Sequence, residues 1–230
     1  MCVTVFKRYE LKYLLDAETF KELLKRTAGR LHADEYGKTT VLSLYYDTDD
    51  YRIIRRSLES PCYKEKLRLR SYGILNENNS AFLELKKKYR GVVYKRRVKL
   101  SLGEVINGTA GSGQIANEID YFKRFYGNPV PKFLIIYDRI AFVGENGLRV
   151  TFDTDIRYRT ARLSLNSGLD GTRIIGDDKI LAEIKTGTAI PLWLSEILSE
   201  LKIYKTSFSK CGEAYKAELN KNKTEVKKVG

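Results

Sequence analysis

The stretch Lys64-Glu65-Lys66-Leu67-Arg68-Leu69-Arg70-Ser71-Tyr72 decides the fold, because cationic residues recur at its even-numbered positions with leucines between them. In an extended strand, alternate side chains point to opposite faces. This stretch therefore predicts a β-strand with one cationic face. Such a face must contact water or line a cavity that holds a charged ligand, since unpaired charge in a dry core is very costly.

Several other segments show related alternation, with Glu and Lys or Arg held two residues apart. They are Phe82 to Lys88, Tyr137 to Ala141, Leu148 to Asp153 and Leu181 to Lys185. One such strand would indicate an antiparallel sheet with a solvated face. Several together, dominated by Lys and Arg with a few matching carboxylates, make a cavity for a polyanion and its metal a competing interpretation.

The composition predicts one folded domain with an acidic partner. The chain has 230 residues, of which 43% are hydrophobic, and its 42 Lys and Arg against 29 Asp and Glu give a formal charge of +13. This balance implies nucleic acid, an anionic lipid surface or a phosphorylated small molecule as partner. We predict a single domain over residues 1–220 and a disordered Lys-rich tail over 221–230.

The cysteines and the hydropathy pattern predict a cytoplasmic protein. Cys2, Cys62 and Cys211 are far apart, form no CxxC pair and follow no secretory signal pattern. No apolar run approaches the roughly 18 to 20 residues that span a bilayer, so no membrane span is expected. The sequence leaves the oligomeric state open.

Periodicity predicts many short strands and few helices. Strands are predicted over 4–15, 39–47, 63–73, 80–89, 92–101, 132–143, 147–153, 156–164, 172–176 and 179–186. Helices are predicted over 16–31, 114–126, 191–201 and 211–220. The glycines before Gln114 do not form a Walker phosphate loop, because no Lys-Ser/Thr pair follows the last of them.

These elements indicate an α+β, mainly β fold. With so many antiparallel strands and no βαβ pattern, we expect a closed antiparallel eight-stranded β-barrel with amphipathic helices packed outside. If the cationic faces of the strands point inward, the apolar side chains at the alternate positions point outward. The helices would then cover leucines such as Leu67 and Leu85.

Eight motifs in strand order carry a family resemblance. They are Phe6 to Tyr13, Tyr45 to Thr48, Lys66 to Tyr72, Phe82 to Lys86, Tyr137 to Ala141, Arg149 to Asp153, Glu183 to Lys185 and Ser209-Lys210. In this order and spacing, the chain resembles the VTC domain, the polyphosphate polymerase domain of the triphosphate tunnel metalloenzyme group. The resemblance covers about residues 5–218.

The resemblance implies a tunnel of eight antiparallel strands in which basic residues hold the phosphates of ATP. Relatives transfer the γ-phosphoryl group of ATP to phosphate or to a growing polyphosphate chain. A carboxylate-bound divalent metal, Mn²⁺ or Mg²⁺, assists. Phosphoryl transfer has a loose transition state, so catalysis is mainly positioning and electrostatic stabilisation.

The same resemblance assigns roles to individual residues. The catalytic phosphate-binding positions are Arg68, Arg70, Lys86, Arg139 and Arg149. Further substrate-binding positions are Lys12 and Lys210, with Lys95 and Lys185 as additional candidates. Glu183 falls on the metal-binding carboxylate, and Glu10 and Glu84 are candidates to hold the metal or to orient the lysines.

Two other functions stay open. A tunnel hydrolase would use the same residues to cleave inorganic triphosphate or a nucleoside triphosphate with water. A non-catalytic module would bind a polyanion without turnover, although the sequence shows no nucleic-acid recognition motif. The polymerase and the hydrolase differ in whether phosphate or water occupies the acceptor end of the tunnel. Extra basic residues at that end would favour phosphate, an anionic acceptor, over water.

Overall fold

The structure is a computed structural model that describes residues 9–90, 92–109, 111–187 and 189–229, with side chains described through Lys221. Its strands are β1 (Tyr9–Asp16), β2 (His32–Ala33), β3 (Thr39–Asp47), β4 (Tyr63–Tyr72), β5 (Ala81–Tyr89), β6 (Val92–Leu100), β7 (Val130–Val143), β8 (Arg149–Arg159), β9 (Thr172–Arg173) and β10 (Lys179–Thr186). Its helices are α1 (Ala17–Thr27), α2 (Arg52–Leu58), α3 (Leu102–Ile106), α4 (Gln114–Phe125), α5 (Leu192–Glu200) and α6 (Lys210–Val229). A short 3₁₀ helix covers Glu145–Gly147.

The strands form one mainly antiparallel sheet, as the sequence predicts. Hydrogen bonds connect the strands in the order β1-β10-β8-β7-β3-β4-β5-β6, and β2 and β9 pair with β7 and β8. Every strand pair with a described register is antiparallel. This hydrogen-bonded order ends at β1 and β6. The predicted closure into an eight-stranded barrel is therefore not confirmed by hydrogen bonds between the described residues, and sequence alternation could not decide it, because alternation does not say which strands are neighbours.

Contacts divide the chain into two compact units, each built from three segments. The first unit comprises Met1–Thr40, Tyr137–Ile156 and Ile175–Phe208, and the second comprises Val41–Ile136, Arg157–Ile174 and Ser209–Gly230. The single domain over 1–220 stays a prediction.

In the second unit, the apolar alternates of β4 and β5 pack under helix α4. Leu67, Leu69, Leu83 and Leu85 are buried in one cluster with the α4 residues Ala116, Ile119 and Phe122. Helix α4 can cover them because its apolar residues recur at helical spacing. The expectation that amphipathic helices cover the leucine face is confirmed here, and the opposite strand face is left for the cationic side chains.

The first unit has its own core against α1 and α5. Val150, Phe152 and Ile184 of the sheet are buried with Leu23 of α1 and Leu194 of α5. Helix α1 begins where the sequence predicts, because the Asp16 carboxylate accepts a hydrogen bond from the Thr19 backbone N–H at 2.8 Å.

Helix α2 was not predicted, because its cap is remote in sequence. The buried carboxylate of Asp47 accepts from the backbone N–H groups of Ile53 and Ile54, both at 2.9 Å. Tyr51, immediately before the helix, has a left-handed backbone and supplies no side-chain cap. Helix α3 was also missed, although Ser101 and Glu104 form a capping box that is visible in the sequence.

Strand boundaries also differ near β8. The sequence predicts strands over 147–153 and 156–164, whereas one strand runs from Arg149 to Arg159. Asp155 within it has φ of 47°, so the backbone is locally irregular at the position where the sequence predicted a break between two strands. Residues 160–164 form no strand.

The predicted disordered tail differs from the structure as well. Helix α6 continues through Val229, although the sequence predicts a helix only to about residue 220. Residues 4–8 of the first predicted strand lie outside the described residues. Within the described part of the chain, no helix is both long and apolar enough to cross a lipid bilayer.

Candidate functional site

In the second unit, the strand register gathers the cationic side chains on one face. Arg68 lies opposite Glu84, and Glu84 lies opposite Arg97. In the neighbouring row, Lys66 lies opposite Lys86, which lies opposite Lys95. Because residues directly opposite in antiparallel strands share a face, β4, β5 and β6 present these side chains together. The register also settles the side of Lys95, which the sequence alone leaves open.

Glu84 is the acidic centre of this cationic face. Its side chain is 1% exposed, and its Oε2 accepts from Arg68 Nε at 2.7 Å. Arg70 Nε lies 4.0 Å from the same oxygen, and Lys95 forms an ion pair with Oε1. One buried carboxylate thus holds three cations that come from two different strands.

These ion pairs change the proton affinities of the partners. Burial by itself would raise the pKa of Glu84, but Arg68, Arg70 and Lys95 hold that pKa well below its usual range. Burial lowers the pKa of the Lys95 ammonium to about 8, and only Glu84 opposes this change substantially. Glu84 is therefore ionised near neutral pH, whereas the pKa of Lys95, at about 8, lies close to neutral pH.

Neutral side chains of β3 complete the positioning of the two arginines. Arg68 Nη1 donates to the Tyr45 hydroxyl at 3.1 Å, and Arg70 Nε donates to Ser43 Oγ at 3.0 Å. Both guanidinium groups are mostly buried, with 17% and 8% of their side chains exposed. They are held in place before any ligand binds, which reduces the ordering cost of binding.

The start of helix α6 lies beside the same face. Lys66 Nζ donates to Ser209 Oγ at 3.1 Å, and that hydroxyl also accepts from the Gly212 backbone N–H at 3.2 Å. Lys210 is the first residue of α6 and follows Ser209 directly. The structure therefore brings the Lys210 segment next to β4, although the two are far apart in sequence.

In the first unit, cations and carboxylates alternate between neighbouring strands. Lys12 of β1 lies opposite Glu183 of β10, and Glu10 lies opposite Lys185. Lys185 in turn lies opposite Arg149 of β8. Lys12 Nζ also donates to the Phe208 carbonyl at 2.7 Å. The predicted site residues of β1, β8 and β10 therefore occupy one face of this unit.

Arg139 forms a two-bond ion pair with a buried carboxylate. Its Nε and Nη2 donate to the two carboxylate oxygens of Asp153 at 2.6 and 2.8 Å, and the Asp153 side chain is completely buried. Glu183 Oε2 lies 4.0 Å from Arg139 Nη2, and Glu183 Oε1 lies 3.6 Å from Lys185 Nζ. Asp153 thus orients Arg139, and Glu183 lies nearby with longer, weaker ion pairs.

Arg149 is more exposed than the other predicted arginines. Its side chain is 42% exposed, and its Nη2 donates to Asp34 Oδ2 at 2.9 Å. Its partner Asp34 has only 9% of its side chain exposed, so this ion pair joins a partly exposed cation to a mostly buried carboxylate.

The donor set of the first unit fits an oxygen-preferring divalent metal only if the substrate supplies further ligands. The described residues contain no group of three His, Cys, Asp or Glu side chains that could hold a metal. Glu183 lies opposite Thr151, whose buried hydroxyl has no hydrogen-bond partner among the described residues. Mg²⁺ in particular is often bound by one or two carboxylates together with waters and substrate phosphates. Glu183 fits this pattern, whereas Glu84 is already surrounded by three cations.

The sequence-predicted residues thus fall into two groups. Arg68, Arg70, Glu84, Lys86 and Lys95 share one strand face of the second unit, with Lys210 at its border. Glu10, Lys12, Arg149, Glu183 and Lys185 share one face of the first unit, with Arg139 in contact with it.

Several residues that hold these groups carry no predicted role in the sequence. Tyr45 and Asp153 lie inside the quoted motifs but were not predicted to hold the arginines, although Asp153 orients Arg139 and Tyr45 contacts Arg68. Their position within a family motif was the available signal. Asp34 had no such signal, because its contact with Arg149 joins residues 115 positions apart.

Comparisons with known proteins agree with the family resemblance. The family model described as the VTC domain matches residues 7–219. Because this match spans nearly the whole chain, the chain belongs to the VTC domain family. A search of curated proteins found no match.

Solved structures from several organisms share the fold at low sequence identity. A Bacillus halodurans protein described as an adenylate cyclase candidate is 16% identical, with a TM-score of 0.57 over 88% of this chain and 95% of that one. A Hippeastrum protein, described as an adenylyl cyclase candidate with a dominant triphosphatase activity, is 17% identical, with a TM-score of 0.52 over 88% and 92%. A Vibrio parahaemolyticus adenylate cyclase candidate is 9% identical, with a TM-score of 0.51 over 92% and 99%. At these identities the similarity establishes the fold alone.

Proposed function

We propose that this VTC-domain chain is a metal-dependent polyphosphate polymerase that transfers the γ-phosphoryl group of ATP to phosphate or to a growing polyphosphate chain. One observation carries the proposal. The site face of β4, β5 and β6 bears nine Lys and Arg residues and a single carboxylate, Glu84. Such an excess of positive charge suits a polyanionic acceptor better than water.

The proposed transfer needs no protein nucleophile. A terminal oxygen of the acceptor phosphate forms a bond to the γ-phosphorus, and the bond from that phosphorus to the β,γ-bridging oxygen breaks. The electron pair leaves with ADP. Because charge spreads over the phosphoryl oxygens in the transition state, positioned cations stabilise it.

The geometry supports distinct roles for the cations. Arg68 and Arg70 are preorganised by Glu84, Tyr45 and Ser43, and their planar guanidinium groups can each hold two phosphate oxygens. We assign phosphate binding to these two arginines and to Lys86, Lys95 and Lys210. In the first unit, Arg139 and Arg149 are assigned the same chemistry, with Lys12 and Lys185 beside them.

Glu183 is proposed to hold Mn²⁺ or Mg²⁺, with Glu10 and Thr151 nearby. When bound, the metal neutralises phosphate charge that would otherwise repel the acceptor. For Glu84 the geometry supports orientation of Arg68, Arg70 and Lys95 better than metal binding, because its carboxylate oxygens already contact these three cations.

A product assay tests the proposal. Purified protein is incubated with ATP labelled at the γ-phosphate and Mn²⁺, and chains are separated from free phosphate by gel electrophoresis. We expect labelled chains and ADP in amounts that match the phosphate units transferred. Chelation of the metal should abolish both products.

The same assay separates the other functions. Free phosphate without chains would identify a tunnel hydrolase, as the description of the Hippeastrum relative suggests for that protein. Unchanged ATP despite measurable binding would identify a non-catalytic polyanion-binding module. The closed barrel belongs to this proposal too, and a crystal structure with a nucleotide analogue and Mn²⁺ tests it.

A further inference from the structure

In the second unit, aromatic side chains form a surface on the helix side of the sheet, which is the side opposite the cationic face. This surface lies at one end of β4, β5 and β6 and on α4, and its members are Tyr63, Tyr89, Tyr94, Tyr121 and Phe125. We call these five residues the aromatic patch. None of them belongs to a quoted family motif or has a role in the proposed function.

Strand register places the strand members of the aromatic patch side by side. Tyr63 lies directly opposite Tyr89, and Tyr94 lies opposite Lys87, two residues from Tyr89. Residues two apart on a strand share a face. Lys87 forms an ion pair with a carboxylate of α4 at 3.6 Å, so this shared face is the helix side.

Helix α4 adds two rings to the strand members. The rings of Tyr121 and Phe125 are stacked, with centroids 6.2 Å apart and planes inclined by 22°. The Glu65 carboxylate of β4 accepts from the hydroxyls of Tyr63 at 2.8 Å and Tyr126 at 3.0 Å, which joins the end of α4 to the strand. Burial, followed by Glu65, raises the pKa of Tyr63, and the phenols of Tyr126 and Tyr121 add to this rise, which places Tyr121 near Tyr63.

The aromatic patch leaves a large apolar area uncovered. Tyr121 is 62% exposed, Phe125 51%, Tyr89 46% and Tyr94 37%. At 150–250 Å² for a whole aromatic side chain, these four rings leave roughly 300–500 Å² uncovered. An exposed apolar patch of this size is often a binding site. A standard interface between folded proteins takes about 800 Å² from each partner, so the aromatic patch fits a short segment better than a second folded domain.

Arginines flank the aromatic patch. The Arg90 guanidinium lies 5.4 Å from the centroid of the Tyr89 ring, and that of Arg52 on α2 lies 5.9 Å from the centroid of the Tyr126 ring. Arg56 lies one helical turn after Arg52, and all three arginines are exposed. Among the residues that the structure describes, no carboxylate forms an ion pair with any of the three. An occupant with acidic side chains would complement this charge.

The same surroundings disfavour three other occupants. Glu65 lies at the patch and Glu118 lies beside it on α4, where their carboxylates oppose the phosphate groups of a nucleic acid or of an anionic bilayer. A second copy of this chain would bring the flanking arginines towards arginines, and the chain carries a formal charge of +13. Tyrosine and arginine, in contrast, are enriched where proteins bind other proteins.

We propose that the aromatic patch is a docking site for a short protein segment that combines apolar or aromatic anchors with acidic side chains. The anchors cover the exposed rings, and the acidic side chains pair with the flanking arginines. The inference does not depend on the proposed function, because the aromatic patch and the cationic face lie on opposite sides of β4, β5 and β6.

The test measures binding of a labelled random copolymer of glutamate and tyrosine by fluorescence anisotropy, with polyglutamate of equal length as the purely anionic probe. Saturating tripolyphosphate keeps both probes off the cationic face. The variant is Tyr121→Ala/Phe125→Ala, and the matched control is Tyr204→Ala, which removes an exposed tyrosine of the first unit.

The wild type should bind the copolymer at least about tenfold more tightly than polyglutamate. Tyr121→Ala/Phe125→Ala should lose about tenfold or more of the copolymer affinity, the scale expected for two aromatic anchors. Tyr204→Ala should stay within about twofold of the wild type. If the double variant does not fold, Tyr121→Ala alone provides the test, since its ring is the most exposed of the aromatic patch.

Several outcomes would overturn the inference. One is a copolymer that binds no more tightly than polyglutamate, and another is a Tyr204→Ala protein that loses as much copolymer affinity as the double variant. Oligothymidylate, vesicles of phosphatidylcholine and phosphatidylserine, and sedimentation of the protein alone test the other occupants. Nucleic-acid binding, vesicle binding or self-association that is lost only in Tyr121→Ala/Phe125→Ala would reassign the aromatic patch to that occupant.

Failure of the proposed function would look different. A protein that makes no chains from ATP but binds the copolymer through the aromatic patch would retain this inference and lose the polymerase assignment. A protein that makes chains from ATP, but whose copolymer affinity is unchanged in Tyr121→Ala/Phe125→Ala, would retain the polymerase and lose this inference.

Discussion

The cationic faces of the two units differ in charge balance. In the second unit, the site face of β4, β5 and β6 bears nine Lys and Arg residues and one carboxylate, Glu84. In the first unit, Lys12 lies opposite Glu183 and Lys185 lies opposite Glu10. The two arginines of that unit also have carboxylate partners, Asp153 for Arg139 and Asp34 for Arg149.

This difference separates two ways of handling a phosphate. A face with excess positive charge attracts a polyanion directly, and its strength depends on how many cations remain to be neutralised. A balanced face instead holds each cation in position, and it also presents carboxylates, which are the ligands that a divalent metal needs. The proposed polymerase uses the first kind of face for binding and the second for the metal.

The largest expected effect follows from removing Glu84, the single carboxylate on the cationic face of β4, β5 and β6. Glu84→Gln should lower the free energy of unfolding by about 3–5 kcal/mol, because Arg68, Arg70 and Lys95 would remain close together without the buried Glu84 charge between them. Urea denaturation measures this change. Added tripolyphosphate should recover part of the loss, since an anion that binds the folded state supplies the missing charge.

Glu118 provides the matched control for Glu84. It also lies between cations of β5 and β6, but on the helix side and with a quarter of its side chain exposed. Glu118→Gln should cost less than about 1 kcal/mol and should not respond to tripolyphosphate. Equal losses in the two variants would contradict the special role of Glu84.

The corresponding change in the first unit should affect turnover more than stability. Glu183→Gln should reduce kcat about 100- to 1000-fold, the usual cost of losing one electrostatic stabiliser at a reacting centre. Binding of polyphosphate should persist, because the cations of the second unit are intact. Steady-state kinetics and calorimetry on the same preparation measure both, and full turnover in Glu183→Gln would sink the metal assignment.

A smaller effect is expected where arginine geometry matters. Arg139→Lys should lower the free energy of unfolding by about 2 kcal/mol, because lysine cannot form the paired hydrogen bonds with buried Asp153. Arg149→Lys, at a more exposed ion pair, should cost less than about 1 kcal/mol. Thermal unfolding of both variants provides the comparison, and similar shifts would show that Asp153 does not fix Arg139 through two bonds.

The smallest effect is a pH dependence in the second unit. The pKa of Lys95 is lowered to about 8 in the free protein, and a bound phosphate raises it by favouring the charged form. Binding then takes up a proton above pH 8, so affinity for tripolyphosphate should fall by up to about tenfold per pH unit between pH 8 and 9. Lys95→Arg should flatten this dependence, and a wild-type affinity that does not change over this range would exclude Lys95 as a ligand.

Much of the local structure was predictable because it depends on short-range periodicity. The strands β3, β4, β5 and β10 lie within about one residue of their predicted bounds, and α1 begins at the predicted Asp16 cap. Helix α2 was not predictable in this way, because the Asp47 carboxylate that caps it precedes Ile53 and Ile54 by six and seven residues. A cap that distant leaves no signal adjacent to the helix.

The candidate site shows the same division. Family motifs pointed to Arg68, Arg139 and Glu183, but no motif indicated that Arg139 is held by Asp153. The motifs also placed Glu84 among possible metal ligands without showing that three cations surround it. Contacts of this kind depend on the pairing of strands that are distant in sequence.

By itself, the sequence determined that this chain forms strands with one cationic and one apolar face, because side chains alternate along any extended backbone. The tertiary structure alone decided which charges meet. Strand register placed Lys95 beside Glu84, placed Lys64 opposite Lys88, and gave the two units their different charge balance. Register depends on turn geometry and on packing and hydrogen bonding between strands, and alternation along a single strand does not state which residues of two strands pair.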